Sequence, residues 1–313
     1  MHAVTILNGR LEWQEHPDPT PGHGEVVVAV RAAGLNGADR LQVAGFYPAP
    51  PGSPADIPGL EIAGEVLTRG PGSQRFAVGD RVMAVIGGGG QAERCVVHER
   101  HLLPVPEGMT WDQAGGFPEV FSTAFDALFT QCGLAVGERV CIHGAAGGVG
   151  IAGVQLARAA GAEVVATVRH PTRRAQVAEM TGATTVDPEH FAEHGPFDVV
   201  LELIGAPNMA ANLAALAIGG RIAVIGVGGG TTAELNLLDL MAKRARIHGS
   251  TLRARSLEDK ATLARRVEHQ VLPLLVAGRL QVPVHANVPM AEARRAYELF
   301  AAGGKLGKIV LTS

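Results

Sequence analysis

The chain has 313 residues, which suits two domains of moderate size better than one core. Apolar residues make up 47% and charged ones 18%, so substantial cores can form and an intrinsically disordered chain is excluded. A net charge of -3 gives no global attraction to nucleic acid or to an anionic membrane, so any ligand must be recognised by local charge.

Met1-His2-Ala3-Val4 enters a strand-like segment directly, with no basic start leading into an apolar stretch. Secretion is therefore not expected, and a cytoplasmic location is. No apolar run approaches the roughly 20 residues of a membrane span. Residues 25–31, 62–66 and 80–85 read as strands separated by turn signals such as Pro21-Gly22, Pro71-Gly72 and Gly79-Asp80. Short strands joined in this way predict a small, partly open β-barrel. The stretch from Pro48 to Pro58 must be a loop, because proline supplies no ladder donor. Cys95, Cys132 and Cys141 are widely spaced and odd in number, which fits small core residues rather than disulfides or a zinc cluster.

The pattern changes after about Trp111. Strand-like 139–143 leads through glycines into a helix over 149–160. Strand 163–168, helix 172–181, short strand 184–186, strand 198–204, helix 208–217 and strand 221–225 follow, with a last strand candidate at 246–251. Strands alternating with helices predict a parallel, doubly wound α/β sheet. The tail from about Leu272 holds a helix over 291–302 and then the segment 303–311 as a final strand, expected to rejoin the N-terminal barrel.

The most informative motif is Gly144-Ala145-Ala146-Gly147-Gly148-Val149-Gly150, placed between a predicted strand and a predicted helix. Glycines allow a tight turn and close approach of backbone N–H groups to a pyrophosphate at the helix amino end. Which dinucleotide binds depends on the end of the next strand. An acid there would take the ribose 2′-hydroxyl. Here the strand ends in Thr167-Val168-Arg169-His170-Pro171-Thr172-Arg173-Arg174. Arg169, Arg173 and Arg174 suit a 2′-phosphate, and without an anion they would oppose the helix dipole. NADPH is the expected cofactor. His143 has apolar strand neighbours, so a buried, hydrogen-bonded structural role is expected rather than that of a general base.

Beyond these local readings, the chain resembles the zinc-independent quinone oxidoreductases of the medium-chain dehydrogenase/reductase superfamily, most closely the p53-inducible group. Gly34-Leu35-Asn36-Gly37-Ala38-Asp39-Arg40-Leu41-Gln42, Pro58-Gly59-Leu60-Glu61, Gly79-Asp80-Arg81-Val82-Met83-Ala84, Gly87-Gly88-Gly89-Gly90-Gln91-Ala92 and Gly307-Lys308-Ile309-Val310-Leu311 carry the likeness in order and spacing. The resemblance implies a GroES-like catalytic domain over 1–116 and 272–313 and a Rossmann domain over 117–271, with substrate and nicotinamide meeting in the cleft between them. Zinc enzymes of the superfamily carry a cysteine near the position of Asn36 and a histidine at that of Leu60, so no metal is expected.

The resemblance also assigns roles. Tyr47 matches a tyrosine of the substrate cleft, placed to donate to a quinone or enone oxygen; packing on the proline-rich loop is the competing reading. Asn36 is the other catalytic candidate, with a turn-satisfying asparagine as the alternative. Thr123 is expected at the nicotinamide carboxamide. Lys305 and Lys308 would contact a cofactor phosphate or face solvent. Relatives place a serine in the glycine turn where this chain has Ala146 and Gly147, so the cofactor would be held largely by backbone. A homodimer is expected through the edge strand at 246–251. The implied activity is NADPH-dependent quinone reduction. Reduction of enones or enoyl thioesters, and NADPH binding without turnover, are the alternatives; no basic stripe supports nucleic-acid binding.

Overall fold

A computed structural model describes all residues, Met1–Ser313. The chain opens as a hairpin, β1 (His2–Leu7) and β2 (Arg10–Glu15), closed by Asn8 and Gly9 at φ 50° and 73°, the left-handed pair that a tight hairpin turn requires. Then come β3 (Glu25–Gly34), α1 (Gly37–Val43), β4 (Glu61–Arg69), β5 (Arg81–Val85), β6 (Arg94–His98), β7 (Leu103–Pro104), α2 (Trp111–Gly115) and α3 (Pro118–Phe125). The alternating segment comprises β8 (Arg139–Ile142), α4 (Gly148–Ala159), β9 (Glu163–Thr167), α5 (Pro171–Thr181) and β10 (Thr184–Val186), and continues with β11 (Phe197–Glu202), α6 (Met209–Ala214), β12 (Leu216–Val224), α7 (Leu237–Lys243) and β13 (Arg246–Gly249). The chain ends with α8 (Leu257–Gln270), α9 (Leu272–Val276), β14 (Val284–Pro289), α10 (Ala293–Ala302) and β15 (Lys308–Thr312).

Two compact units result. The first comprises Met1–Ser122, Leu252–Val276 and Gln281–Ser313. Its main sheet runs β14-β15-β3-β4-β5-β7, with β6 also paired to β3. The final strand does rejoin this sheet: β15 lies antiparallel to β3, with Val310 opposite Gly34. Val26, Val28 and Val30 alternate inward from β3 and pack with Ile62, Val66, Val82, Ile309 and Leu311. Residues 48–58 form a loop without strand or helix, as the prolines require.

The second unit comprises Thr123–Thr251 and Ala277–Leu280. Its six strands run β10-β9-β8-β11-β12-β13, every neighbouring pair parallel. Counted from β8 this is the order 3-2-1-4-5-6 of a dinucleotide-binding sheet, whose direction of winding reverses between β8 and β11.

The structure departs from the sequence reading in several places, among them the edge strand, which ends at Gly249 rather than Thr251. Residues 117–122 and 252–271 pack with the first unit and 277–280 with the second; polar bonds tie the 252–271 segment to the first unit, where Arg253 bonds the Gly87 and Tyr47 carbonyls and Arg265 the Leu102 carbonyl. The helix expected over 208–217 stops at Ala214, since Leu216 already pairs with Phe197 in the sheet. A fourteen-residue helix, α8, lies where none was expected. No helix is long and apolar enough to cross a membrane.

Candidate active site

The glycine turn joins β8 to α4 at the point where the sheet reverses its winding. Gly144 sits at φ 64°, and a Cβ there would meet the Ile204 side chain at 3.1 Å, so the turn lies against the loop after β11. At Gly150 a Cβ would lie 2.5 Å from the Gly144 carbonyl oxygen and 2.6 Å from Ala145 Cα. Only glycine lets α4 start this close to the strand. At Gly147, the N-cap, a Cβ would instead meet nothing nearer than the Gly144 oxygen at 3.4 Å, which leaves the face of the turn open. The Ala145 N–H is held by Thr167 O (3.0 Å), while the amino end of α4, from Gly148 through Val149, presents first-turn donors and the positive end of its dipole. Ala146 completes the turn without a hydroxyl. These residues fit a dinucleotide pyrophosphate.

The arginines after β9 separate into two kinds. Arg169 is exposed at the strand end, and Arg173 is half-buried with one bond, Nη1 to Gln176 Oε1 (2.7 Å). Arg174 is engaged within the chain: Nε donates to Val168 O (3.1 Å), and Nη2 donates to Asp187 Oδ2 (2.7 Å) and Arg169 O (3.3 Å). Arg174 therefore shapes the strand end, and Arg169 and Arg173 are the side chains open to an anion.

Behind the turn, His143 is fully buried in a chain of polar partners. Glu202 accepts from the backbone N–H groups of Ile204 (2.6 Å) and Gly205 (2.8 Å) and from Asn212 Nδ2 (2.6 Å). A carboxylate only accepts, so the Asn212 nitrogen faces Glu202 and its oxygen faces His143 Nε2 at 2.7 Å. His143 Nε2 must then donate, and Nδ1 accepts from the Thr167 hydroxyl at 3.1 Å. Burial pushes the His143 pKa down against the pull of Glu202 and Asn212, and the hydrogen bonds at the two ring nitrogens select the tautomer of the neutral ring. The structural role expected for His143 matches this geometry. Glu202 and Asn212 were missed, as nothing in their sequence surroundings distinguishes them from ordinary strand-end and helix residues.

In the first unit, Asn36 caps α1, and its N–H donates to the buried Asp39 carboxylate (2.8 Å), which also accepts from Gly59 N (3.0 Å). Burial raises the Asp39 pKa to about 6. The Asn36 side chain is committed as well: Nδ2 donates to Glu61 Oε1 (2.9 Å) and Gly34 O (3.2 Å), and Oδ1 accepts from Lys308 Nζ (2.7 Å). Asn36 thus holds the strand-helix junction, with little of its amide left for a substrate. The expectation for Lys308 is corrected too. It is 3% exposed and its ammonium bonds Leu35 O (3.0 Å), Asn36 Oδ1 and Glu61 Oε1 (2.7 Å), so all three donors are taken and none is left for a cofactor phosphate. Lys305 instead lies over the Phe300 ring at 3.7 Å. Thr123 is buried on α3 and opens the second unit.

Tyr47 lies half-buried in the loop after α1, its hydroxyl pKa raised mainly by burial. Its partner is a residue the sequence did not single out. Arg253, 4% exposed, donates to Tyr47 O (2.7 Å), Gly87 O (2.7 Å) and Gln42 Oε1 (2.5 Å), and its guanidinium carbon sits 5.1 Å from the Tyr47 ring centroid.

The donor set bears on metal as well. Asn36, Leu60 and Glu61 offer one amide oxygen and one carboxylate, already bonded to an ammonium, and no thiolate or imidazole. No cluster of three or more His, Cys, Asp or Glu side chains suited to a metal occurs in the chain. These residues do not fit zinc.

The barrel-like unit and the dinucleotide turn together define a nicotinamide-dependent oxidoreductase of two units. Residues 22–107 match the alcohol dehydrogenase GroES-like domain and residues 148–268 the zinc-binding dehydrogenase family. The quinone oxidoreductase of Rattus norvegicus is 30% identical over 94% of this chain and 90% of its own length. The polyketide synthase GfsB of Streptomyces halstedii is 34% identical over 92% of this chain, which spans only 5% of that protein. A mycobacterial protein solved in complex with NADPH superposes over 100% of both chains, with a TM-score of 0.89 at 26% identity. The chain belongs to the medium-chain dehydrogenase/reductase superfamily, in its quinone oxidoreductase branch.

Proposed function

We propose that this oxidoreductase passes reducing equivalents from NADPH to quinones without a metal. The observation that carries the cofactor choice is the end of β9, where Arg169 and Arg173 stand open in place of an acid. When bound, NADPH supplies the hydride. The chain supplies the turn at Gly144–Gly150, the Thr123 hydroxyl for the carboxamide, and the Tyr47 hydroxyl as a donor to an acceptor oxygen. The likeness to the quinone oxidoreductases supports the acceptor class.

A second reading has its own support. The higher identity with a polyketide synthase favours an acceptor with a conjugated C=C bond, such as an enone or enoyl thioester. The test is oxidation of NADPH and NADH against ortho-quinones, para-quinones and enones. Quinone turnover with NADPH supports the proposal, and turnover of enones alone replaces it by the second reading. Cofactor binding with no acceptor reduced, or a clear NADH preference, overturns it.

We propose further that two copies pair through β13 at the sheet edge. Support comes from the exposed Ile247 on that strand and the exposed Leu237, Leu238 and Met241 of α7.

A further inference from the structure

The superfamily's zinc ligands fall at Asn36 and Leu60 of this chain, and the space beside Asn36 is not simply lacking in donors. It holds a cation of its own. Lys308 enters from the first residue of β15, its stem running past Gly116, where a Cβ would lie 3.2 Å from Lys308 Cγ. Its ammonium meets three oxygens: the Leu35 carbonyl, the Asn36 amide and the Glu61 carboxylate. Glu61 is fully buried and uses both oxygens, Oε1 for Lys308 and Asn36 and Oε2 for the Glu119 N–H (2.8 Å) in the first turn of α3. A side chain at Gly34 would collide with that carboxylate, so the backbone is built around it. The Asn36 amide is oriented by the same partners, its nitrogen toward Glu61 and Gly34 O and its oxygen toward Lys308.

We propose that the Lys308 ammonium is the resident cation of this site, neutralising Glu61 and barring a divalent metal from the position beside Asn36. A buried carboxylate requires a counter-charge. A covalently attached ammonium supplies it at an effective concentration no free ion matches, and a dication would have to displace it. The proposal does not depend on which acceptor the enzyme reduces.

The experiment uses the full chain and Co2+ alone as probe, read by d–d absorption and equilibrium dialysis. Asn36→Cys/Leu60→His restores two metal donors while leaving Lys308 in place; adding Lys308→Met removes the ammonium. The triple variant is expected to bind Co2+ at least 100-fold more tightly than the double variant and to show tetrahedral cobalt bands. Equal binding by the two, or binding by neither, overturns the exclusion. Thermal unfolding of the natural donor set keeps the charge argument testable if these variants fold poorly. Lys308→Met should lower Tm strongly, and Glu61→Gln added to it should restore much of the loss. A double variant no more stable than Lys308→Met overturns the neutralisation of Glu61 by Lys308.

Discussion

Arg253 lies beneath Tyr47, its guanidinium carbon 5.1 Å from the ring centroid and its Nη1 bonded to the Tyr47 carbonyl oxygen at 2.7 Å. Two further bonds, to Gly87 O and Gln42 Oε1, tie the same guanidinium to the glycine-rich loop and to α1. The tyrosine is thus held from its backbone and from its ring face by one buried cation. Tyr47→Phe, which deletes only the hydroxyl, is expected to lower kcat by about tenfold with little change in the acceptor KM. Arg253→Lys keeps the charge but loses the planar fork, so Tyr47 becomes mobile and both kcat and KM suffer by roughly tenfold. Steady-state kinetics with a quinone acceptor separates the two. An unchanged rate in both variants removes Tyr47 from the reaction.

The arginines at the end of β9 predict a split between binding and stability. Arg169→Ala and Arg173→Ala should each raise the KM for NADPH by about tenfold while leaving the KM for NADH unchanged, a loss of ~1.4 kcal/mol at the 2′-phosphate. Arg174→Ala should instead lower the melting temperature, since it breaks the 2.7 Å pair with Asp187 and strands two carbonyls, at a cost of about 1 kcal/mol. Its effect on the ratio of the two KM values should be the smallest of the three. Cofactor titrations and thermal melts on the same preparations check both halves.

What was legible in the sequence was whatever local chemistry alone decides. The Gly144 turn, the acid-free end of β9 and the proline loop follow from backbone conformation and charge within a few residues. The α8 helix was missed although its signals are local: Ser256 accepts from Asp259 N as a cap, and Ala261, Ala264 and Val267 recur at helical spacing on its buried side. Arg253 was not legible. It stands in a charged stretch that reads as solvated, and its partners at Gly87, Tyr47 and Gln42 are brought to it only by the fold. Lys308 misled for the same reason. The resemblance offered a phosphate contact or solvent, and the Glu61 carboxylate that holds it is brought beside it only by the fold.

Buried Asp39 and half-buried His101, both in the first unit, set opposing pH dependences. Burial takes the pKa of His101 from 6.5 down to about 4, so between those values the unfolded chain binds the extra proton and stability falls as pH drops. Burial takes that of Asp39 from 3.8 up to about 6, so in this window the folded chain holds the extra proton and stability falls as pH rises. The two nearly cancel between pH 4 and 6, each amounting to roughly 2–3 kcal/mol. Relative to the parent chain, His101→Gln should lose stability as pH rises through this window, and Asp39→Asn should gain it. Urea unfolding at half-unit pH steps reads the slopes, and parallel curves for all three proteins refute the assignment.

The edge of the parallel sheet makes a separate prediction about assembly. β13 pairs only with β12, so its outer backbone groups are left for another strand. Beside it, Leu237, Leu238 and Met241 of α7 are 66%, 74% and 70% exposed, more apolar surface than a single helix of a monomer ordinarily leaves in water. His248 Nε2, on the same strand, is buried without a hydrogen-bond partner in the single chain. Pairing of two copies about a two-fold axis would extend the sheet and cover the α7 leucines and methionine together. Leu238→Glu/Met241→Glu is expected to convert a dimer to a monomer while leaving the circular dichroism spectrum unchanged, as judged by light scattering after size exclusion. A parent chain that runs as a monomer at micromolar concentration, or a dimer untouched by the two charges, would place the contact elsewhere or remove it.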